Sequence, residues 1–214
     1  YKVFPKSRKR FAERWPDLKA KALQTGIIPL ITSIFCQTGD AKFHPSEEVY
    51  MKAVDSKISS FIGNSDRVFI IPPFQRNYAW SINQCEELFS DIVDSYNKNN
   101  SHYIGNIVYY EGINNSASFN EFILIDGQQR ITSILLLLLA IHNKLPNDDY
   151  NKQAIYNRYL TNSIGPEKRR VKLKQTENDE DIFDKIIQNQ SLTVDEKKSK
   201  IYENYHYFLQ KLDE

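Results

Sequence analysis

EFILIDGQQRITSILLLLLAI, residues 121–141, is the stretch whose reading decides the fold. An apolar run ends in Asp126, turns at Gly127 and passes within one or two residues into a leucine-rich segment. The β-rich composition before the turn predicts a strand over 119–125. The leucines after it fall on every face of a helix, which predicts a central helix over about 129–143, packed on several sides and stopped at Pro146 and Asn147. A strand that runs straight into a helix aims unsatisfied amides, and the positive end of the helix dipole, at whatever lies above the strand's end. Such a junction suits phosphate.

The residue types at the junction fit that chemistry. Gly127 permits a positive φ or a close backbone approach, and Arg130 can offer two parallel donors to phosphate oxygens. Gln128 and Gln129 can each donate and accept. Asp126 would be available for Mg²⁺ or a water, because a bare carboxylate facing phosphate is repulsive without a cation or proton between them. The competing reading is a plain turn, in which Asp126 caps the helix and Gln128, Gln129 and Arg130 lie on a solvated first turn.

A second motif lies upstream. In VFIIPPFQRNYAW, residues 68–80, a β-rich run from 66 to 71 meets Pro72 and Pro73, which end ladder pairing, so a strand followed by an extended loop is expected. The loop carries Gln75, Arg76, Tyr78 and Trp80. Ser81 reads as the N-cap of a helix to about Asn97, with Cys85, Leu88, Phe89, Ile92 and Val93 on one apolar face. Residues 102–110 (HYIGNIVYY) read as a strand that pairs with 119–125 as a long-looped hairpin. Further helices are expected near 149–161, 179–188 and 193–212, with a short strand at 170–174.

The order PPFQRNYAW, helix, YIGNIV, ILIDGQQRITSILLLLLA resembles the N-terminal domain of GmrSD-type modification-dependent restriction enzymes over about residues 51–214. A P-x-Q-R segment followed by a strand and a helix opening on G-x-x-R is also similar to the ParB/sulfiredoxin fold. The resemblance implies an α+β domain with a small mixed sheet, packed helices and a helical extension. It implies a module that binds and hydrolyses a nucleoside triphosphate with Mg²⁺, with GTP, CTP or UTP expected in preference to ATP. The cycle would gate cleavage of modified phage DNA by a fused or partner HNH nuclease domain. On this chain the implied catalytic group is Asp126, Gln128, Gln129 and Arg130, with Asp126 also the metal ligand. Gln75, Arg76, Tyr78, Gly127 and Thr132 are the implied nucleotide contacts. For Tyr78 and Trp80, stacking on a base competes with anchoring in the core, and the anchor is favoured. The rival function is a ParB-type sensor or clamp that binds nucleotide or DNA without hydrolysis; a weaker rival is a nuclease using Asp126 directly.

Composition narrows the classes. The 214 residues carry a formal charge of +1, which excludes a uniformly basic nucleic-acid coat and leaves room for a local patch. The sharpest basic run is Lys168, Arg169, Arg170, Lys172 and Lys174, either a DNA-backbone contact or a solvated edge strand, with Lys172 and Lys174 on the face opposite Val171 and Leu173. Only two cysteines occur, Cys36 and Cys85, so a reducing cytoplasm is expected, and the absence of cysteine from DGQQR excludes sulfiredoxin chemistry. His44, His102, His142 and His206 are scattered and form no HNH signature, and the longest apolar run is too short to cross a membrane. Residues 1–50 read as a separate basic segment with a helix near 16–23, residues 51–146 as the nucleotide-binding domain and 147–214 as the extension, which is expected to continue into a longer protein. Homo-oligomerisation is compatible with all of this.

Overall fold

The structure is a computed structural model that describes residues 31–38, 51–112, 115, 120–162 and 171–214, with residues 31–38, 51 and 52 described by backbone alone. The helix expected near 16–23 lies outside these residues.

The chain runs β1 (Ile31–Thr38), β2 (Met51–Lys57), α1 (Ile58–Ile62), β3 (Arg67–Ile70), α2 (Ile82–Lys98), β4 (His102–Tyr103), β5 (Ile107–Glu111), β6 (Asn120–Asp126), α3 (Gln128–Lys144), α4 (Tyr150–Ile155), β7 (Leu173–Lys174), α5 (Glu177–Ile187) and α6 (Lys200–Lys211). This is an α+β fold. The sheet order is β2-β1-β5-β6-β3-β7, with β4 paired to β1. It is mixed: β1 and β2 pair antiparallel, as do β5 and β6, whereas β6 pairs parallel with β3, and β3 with β7. The expected hairpin of β5 and β6 is present, and its register shifts between Val108 and Tyr109.

The central position of β6 follows from its residues. Phe122 and Leu124 are buried, and in the parallel ladder Phe122 stands beside Phe69 of β3. Phe61 and Tyr109 complete an aromatic cluster with these two rings, at centroid separations of 4.8 to 6.1 Å. Such pairs add about 0.5 to 1.5 kcal/mol beyond their area. Immediately after β6, α3 is buried from Gln128 to Ala140 apart from Arg130. Its apolar residues have no single face, so the helix needs cover on several sides; α6 runs along it and α4 packs against it.

Three sequence expectations are revised. The strand expected over 102–110 is two, because Gly105 takes φ 95° and breaks the ladder. Residues 147–162 and 171–214 contribute to the main core: Leu160, Leu173, Phe183, Ile201 and Phe208 are fully buried together with Phe69, Leu124 and Leu136. Finally, β1 falls within the segment set apart as 1–50, yet its backbone lies in the same sheet between β2 and β5. The helix over 149–161 is present as α4 continued by a π turn, Tyr156–Leu160, which is closed by the Thr161 amide donating to the Tyr156 carbonyl. In α2 the Ser81 cap is completed by Gln84, forming a capping box.

Candidate functional site

The two motifs meet at the end of β6. Gly127 adopts φ 92°, and a Cβ there would come within 2.9 Å of the Ile107 side chain, so both the turn and the passing start of β5 require glycine. The helix then begins at Gln128, and no side chain caps its amino end. This overturns the plain-turn reading in both its parts. Asp126 is the last residue of β6 and not a cap, and Gln128 and Gln129 are buried rather than solvated.

Arg130 lies one turn after Asp126. Its Nη2 donates to Asp126 Oδ2 at 3.0 Å and its Nη1 to the Ile104 carbonyl at 3.1 Å. The pair is uneven: the Arg130 side chain is 21% exposed and that of Asp126 59%. Gly105 makes room for the guanidinium, since a Cβ at that position would stand 1.9 Å from Arg130 Nη1. An isolated glycine within HYIGNIVYY was the signal that could have pointed to this close approach.

The second motif reaches the same place through glutamines. The Gln75 amide donates to the Pro72 carbonyl and closes a tight turn after the diproline. Gln75 Nε2 donates to the Ile125 carbonyl at 3.1 Å, and Gln75 Oε1 accepts from Gln128 Nε2 at 3.2 Å. Arg76, next in sequence, is exposed and forms no hydrogen bond or ion pair among the described residues. Phe74, on the other side of Gln75, is 76% exposed and was not singled out from the sequence.

Other candidates have structural duties. Gln129 Oε1 accepts from the amides of Ala79 (2.7 Å) and Trp80 (3.3 Å), and its Nε2 donates to the Asn77 carbonyl (3.2 Å). Both lone pairs of that oxygen are thus taken by the loop, which leaves it no acceptor for a water. Tyr78 is a buried anchor and not a nucleotide contact: its hydroxyl lies 2.6 Å from Ser133 Oγ and 3.5 Å from Cys85 Sγ, and burial, reinforced by Cys85, pushes its acidity well below that of free tyrosine. Thr132 is also withdrawn from ligands. It is buried, donates to the Gln128 carbonyl and accepts from Gln175 Nε2.

Of the basic run, Lys168, Arg169 and Arg170 lie outside the described residues. Lys172 does not lie on a solvated face: it is 0% exposed, with its ammonium donating to the carbonyls of Asn64 and Arg67, and is no candidate for DNA. Burial lowers its pKa to about 8, against a raising influence from Asp66 and a further lowering one from Arg67. Lys172 continues the ladder with β3, whose Phe69 amide donates to the Lys172 carbonyl at 2.8 Å, and its side chain is covered where its ammonium meets the carbonyls of Asn64 and Arg67. Lys174 is exposed and lies 3.6 Å from Glu180. His142 is structural, with Nδ1 2.9 Å from the Lys152 carbonyl and its ring 5.3 Å from that of Tyr156.

Among the described residues no group of three or more His, Cys, Asp or Glu side chains could hold a metal by itself, and none of the helices is long and apolar enough to cross a membrane. The arrangement is therefore an α+β domain with an uncapped helix start, an arginine and an exposed carboxylate at one sheet end, joined by a glutamine-bonded loop. The family model of the GmrSD restriction endonuclease N-terminal domain matches residues 58–214, and the chain belongs to that family. Membership assigns it to a restriction-endonuclease system. No curated protein matches the chain.

Proposed function

We propose that this domain binds a nucleoside triphosphate at the amino end of α3 and hydrolyses it with Mg²⁺, the cycle gating a fused or partner HNH nuclease that cuts modified phage DNA in the cytoplasm. The observation that carries the reading is the Gln75–Gln128 hydrogen bond, which brings the loop of one arginine motif against the helix start of the other. The amino end of α3 has no capping side chain, which leaves the positive end of its dipole uncompensated, a setting that favours an anion. Arg130 would give up Asp126 for phosphate at small cost, because a half-exposed ion pair is worth only about 0 to 1 kcal/mol. Arg76 would supply the second guanidinium.

A single exposed carboxylate suits Mg²⁺, which keeps several waters and takes its remaining ligands from phosphates, so Asp126 would hold the ion together with the nucleotide. Once bound, the ion would neutralise phosphate charge. Phe74 offers the exposed aromatic surface for a base, a role Tyr78 cannot fill from the core. GTP, CTP or UTP is preferred to ATP in this reading. One observation favours the non-hydrolysing clamp: Gln129, the natural candidate for orienting a water, has its acceptor committed to the 77–80 loop.

Calorimetric titration of GTP, CTP, UTP and ATP with Mg²⁺ tests the proposal, alongside a phosphate-release assay. Binding should weaken by about 2 kcal/mol, roughly 30-fold, in Arg130→Ala. Binding without turnover would leave the clamp. No binding of any nucleotide would overturn both.

A further inference from the structure

Past the Pro72–Gln75 turn, residues 76–80 before α2 have no ladder or helix of their own, so their position depends on side chains reaching in. Gln129 of α3 supplies part of that support. The remainder comes from the far end of the chain. Asp179 Oδ2, in the first turn of α5, accepts from the Tyr78 amide at 2.6 Å, and Thr176, the residue before that helix, donates to Asn77 Oδ1 at 2.8 Å. Asn204 of α6 donates through Nδ2 to the Trp80 carbonyl at 2.8 Å and to the Tyr78 hydroxyl at 3.0 Å. A carbonyl only accepts, so the Asn204 amide must be oriented with its nitrogen towards the loop.

That orientation is costly. Asn204 is fully buried, and its Oδ1 has no hydrogen-bond partner among the described residues. A leucine of similar size would fit an apolar core without this unsatisfied oxygen, so the asparagine is explained by what its nitrogen does for the loop. Asp179 tells the same story: burial raises its pKa, while the bonds from Tyr78 and Thr176 pull it back.

We infer that Asn204 and Asp179 are positioning residues for the PPFQRNYAW loop, holding Gln75 and Arg76 against the amino end of α3, so that phosphate binding depends on α5 and α6. The ligand part of this inference rests on the nucleotide reading; the loop part does not. Neither residue touches the proposed ligand. Asp179 acts through the Tyr78 amide, and Asn204 through the Trp80 carbonyl and the Tyr78 hydroxyl.

The test is Asn204→Leu in the full chain, read in two ways. Hydrogen exchange of ligand-free protein should be at least 10-fold faster in peptides covering 77–81, with peptides covering 131–140 little changed. Affinity for GTP with Mg²⁺ should fall about 10-fold. A folded variant with wild-type exchange in 77–81 would overturn the inference, as would faster exchange with undiminished GTP affinity. If wild type binds no GTP, the nucleotide reading fails and the exchange result alone decides the loop claim. Should Asn204→Leu not fold, Thr176→Val carries the same exchange measurement with the same two outcomes.

Discussion

Gly105 belongs to neither motif, yet replacing it by alanine should disable the site. An added Cβ would stand 1.9 Å from Arg130 Nη1, and the backbone at this position has φ 95°. The left-handed conformation costs a residue with a Cβ about 1 to 2 kcal/mol. The guanidinium must swing away and lose its bond to the Ile104 carbonyl, about 0.5 to 1.5 kcal/mol, and its exposed pair with Asp126, worth less than about 1 kcal/mol. The total is about 3 kcal/mol, or about 6 to 12 °C in melting temperature for a chain of this size. Calorimetric unfolding measures the stability, and nucleotide titration of Gly105→Ala, Arg130→Ala and the double variant measures the coupling. Both single variants should lose affinity, and the double variant should be no worse than Arg130→Ala alone, because the glycine acts only through the arginine. Additive losses would refute the reasoning, as would a Gly105→Ala protein that binds like wild type.

The buried Lys172 makes stability depend on pH with a defined sign. Its pKa falls from its ordinary 10.5 to about 8, so between these values the unfolded chain holds the proton that the folded chain has released, and stability rises across the window. Lys172→Met should therefore hold an advantage of up to about 3 kcal/mol near pH 7 that shrinks towards pH 10 in urea unfolding; a difference independent of pH would contradict this. Tyr78→Phe strips Ser133 and Asn204 of a shared partner and should cost about 1 to 3 kcal/mol in the same assay, and a neutral result would mean the hydroxyl network is not stabilising. Phe74→Ala, at an exposed position, should leave stability within about 0.5 kcal/mol and weaken nucleotide binding by about 1 to 3 kcal/mol; unchanged affinity would remove the base-stacking role.

The elements that the sequence foretold are those whose causes are local. The strand ending at Asp126, the turn at Gly127 and the leucine helix follow from composition and one glycine, and Ser81 with Gln84 forms the capping box that starts α2. The apolar face of α2, Cys85, Leu88, Phe89, Ile92 and Val93, is the buried one. Errors arose where a distant partner set the outcome. Lys172 is not solvated as its alternation suggested, because its ammonium is taken by the carbonyls of Asn64 and Arg67. Thr132 is read as a ligand contact from its place in the motif, but its hydroxyl is taken by the Gln128 carbonyl and Gln175; Tyr78, named among the contacts although the anchor was favoured for it, is that anchor, bonded to Ser133 and Asn204.

What the sequence determined alone was the chemistry of one junction: a strand, a glycine turn and a helix start with a carboxylate and an arginine one turn apart, placed by short-range geometry. Only the tertiary structure decided which of the polar side chains were left for a ligand. Hydrogen-bonding groups are claimed by whichever partner the fold brings within about 3 Å. For Gln129 that partner is a loop some fifty residues upstream, and for Tyr78 a helix more than a hundred residues downstream, separations at which no local pattern carries information.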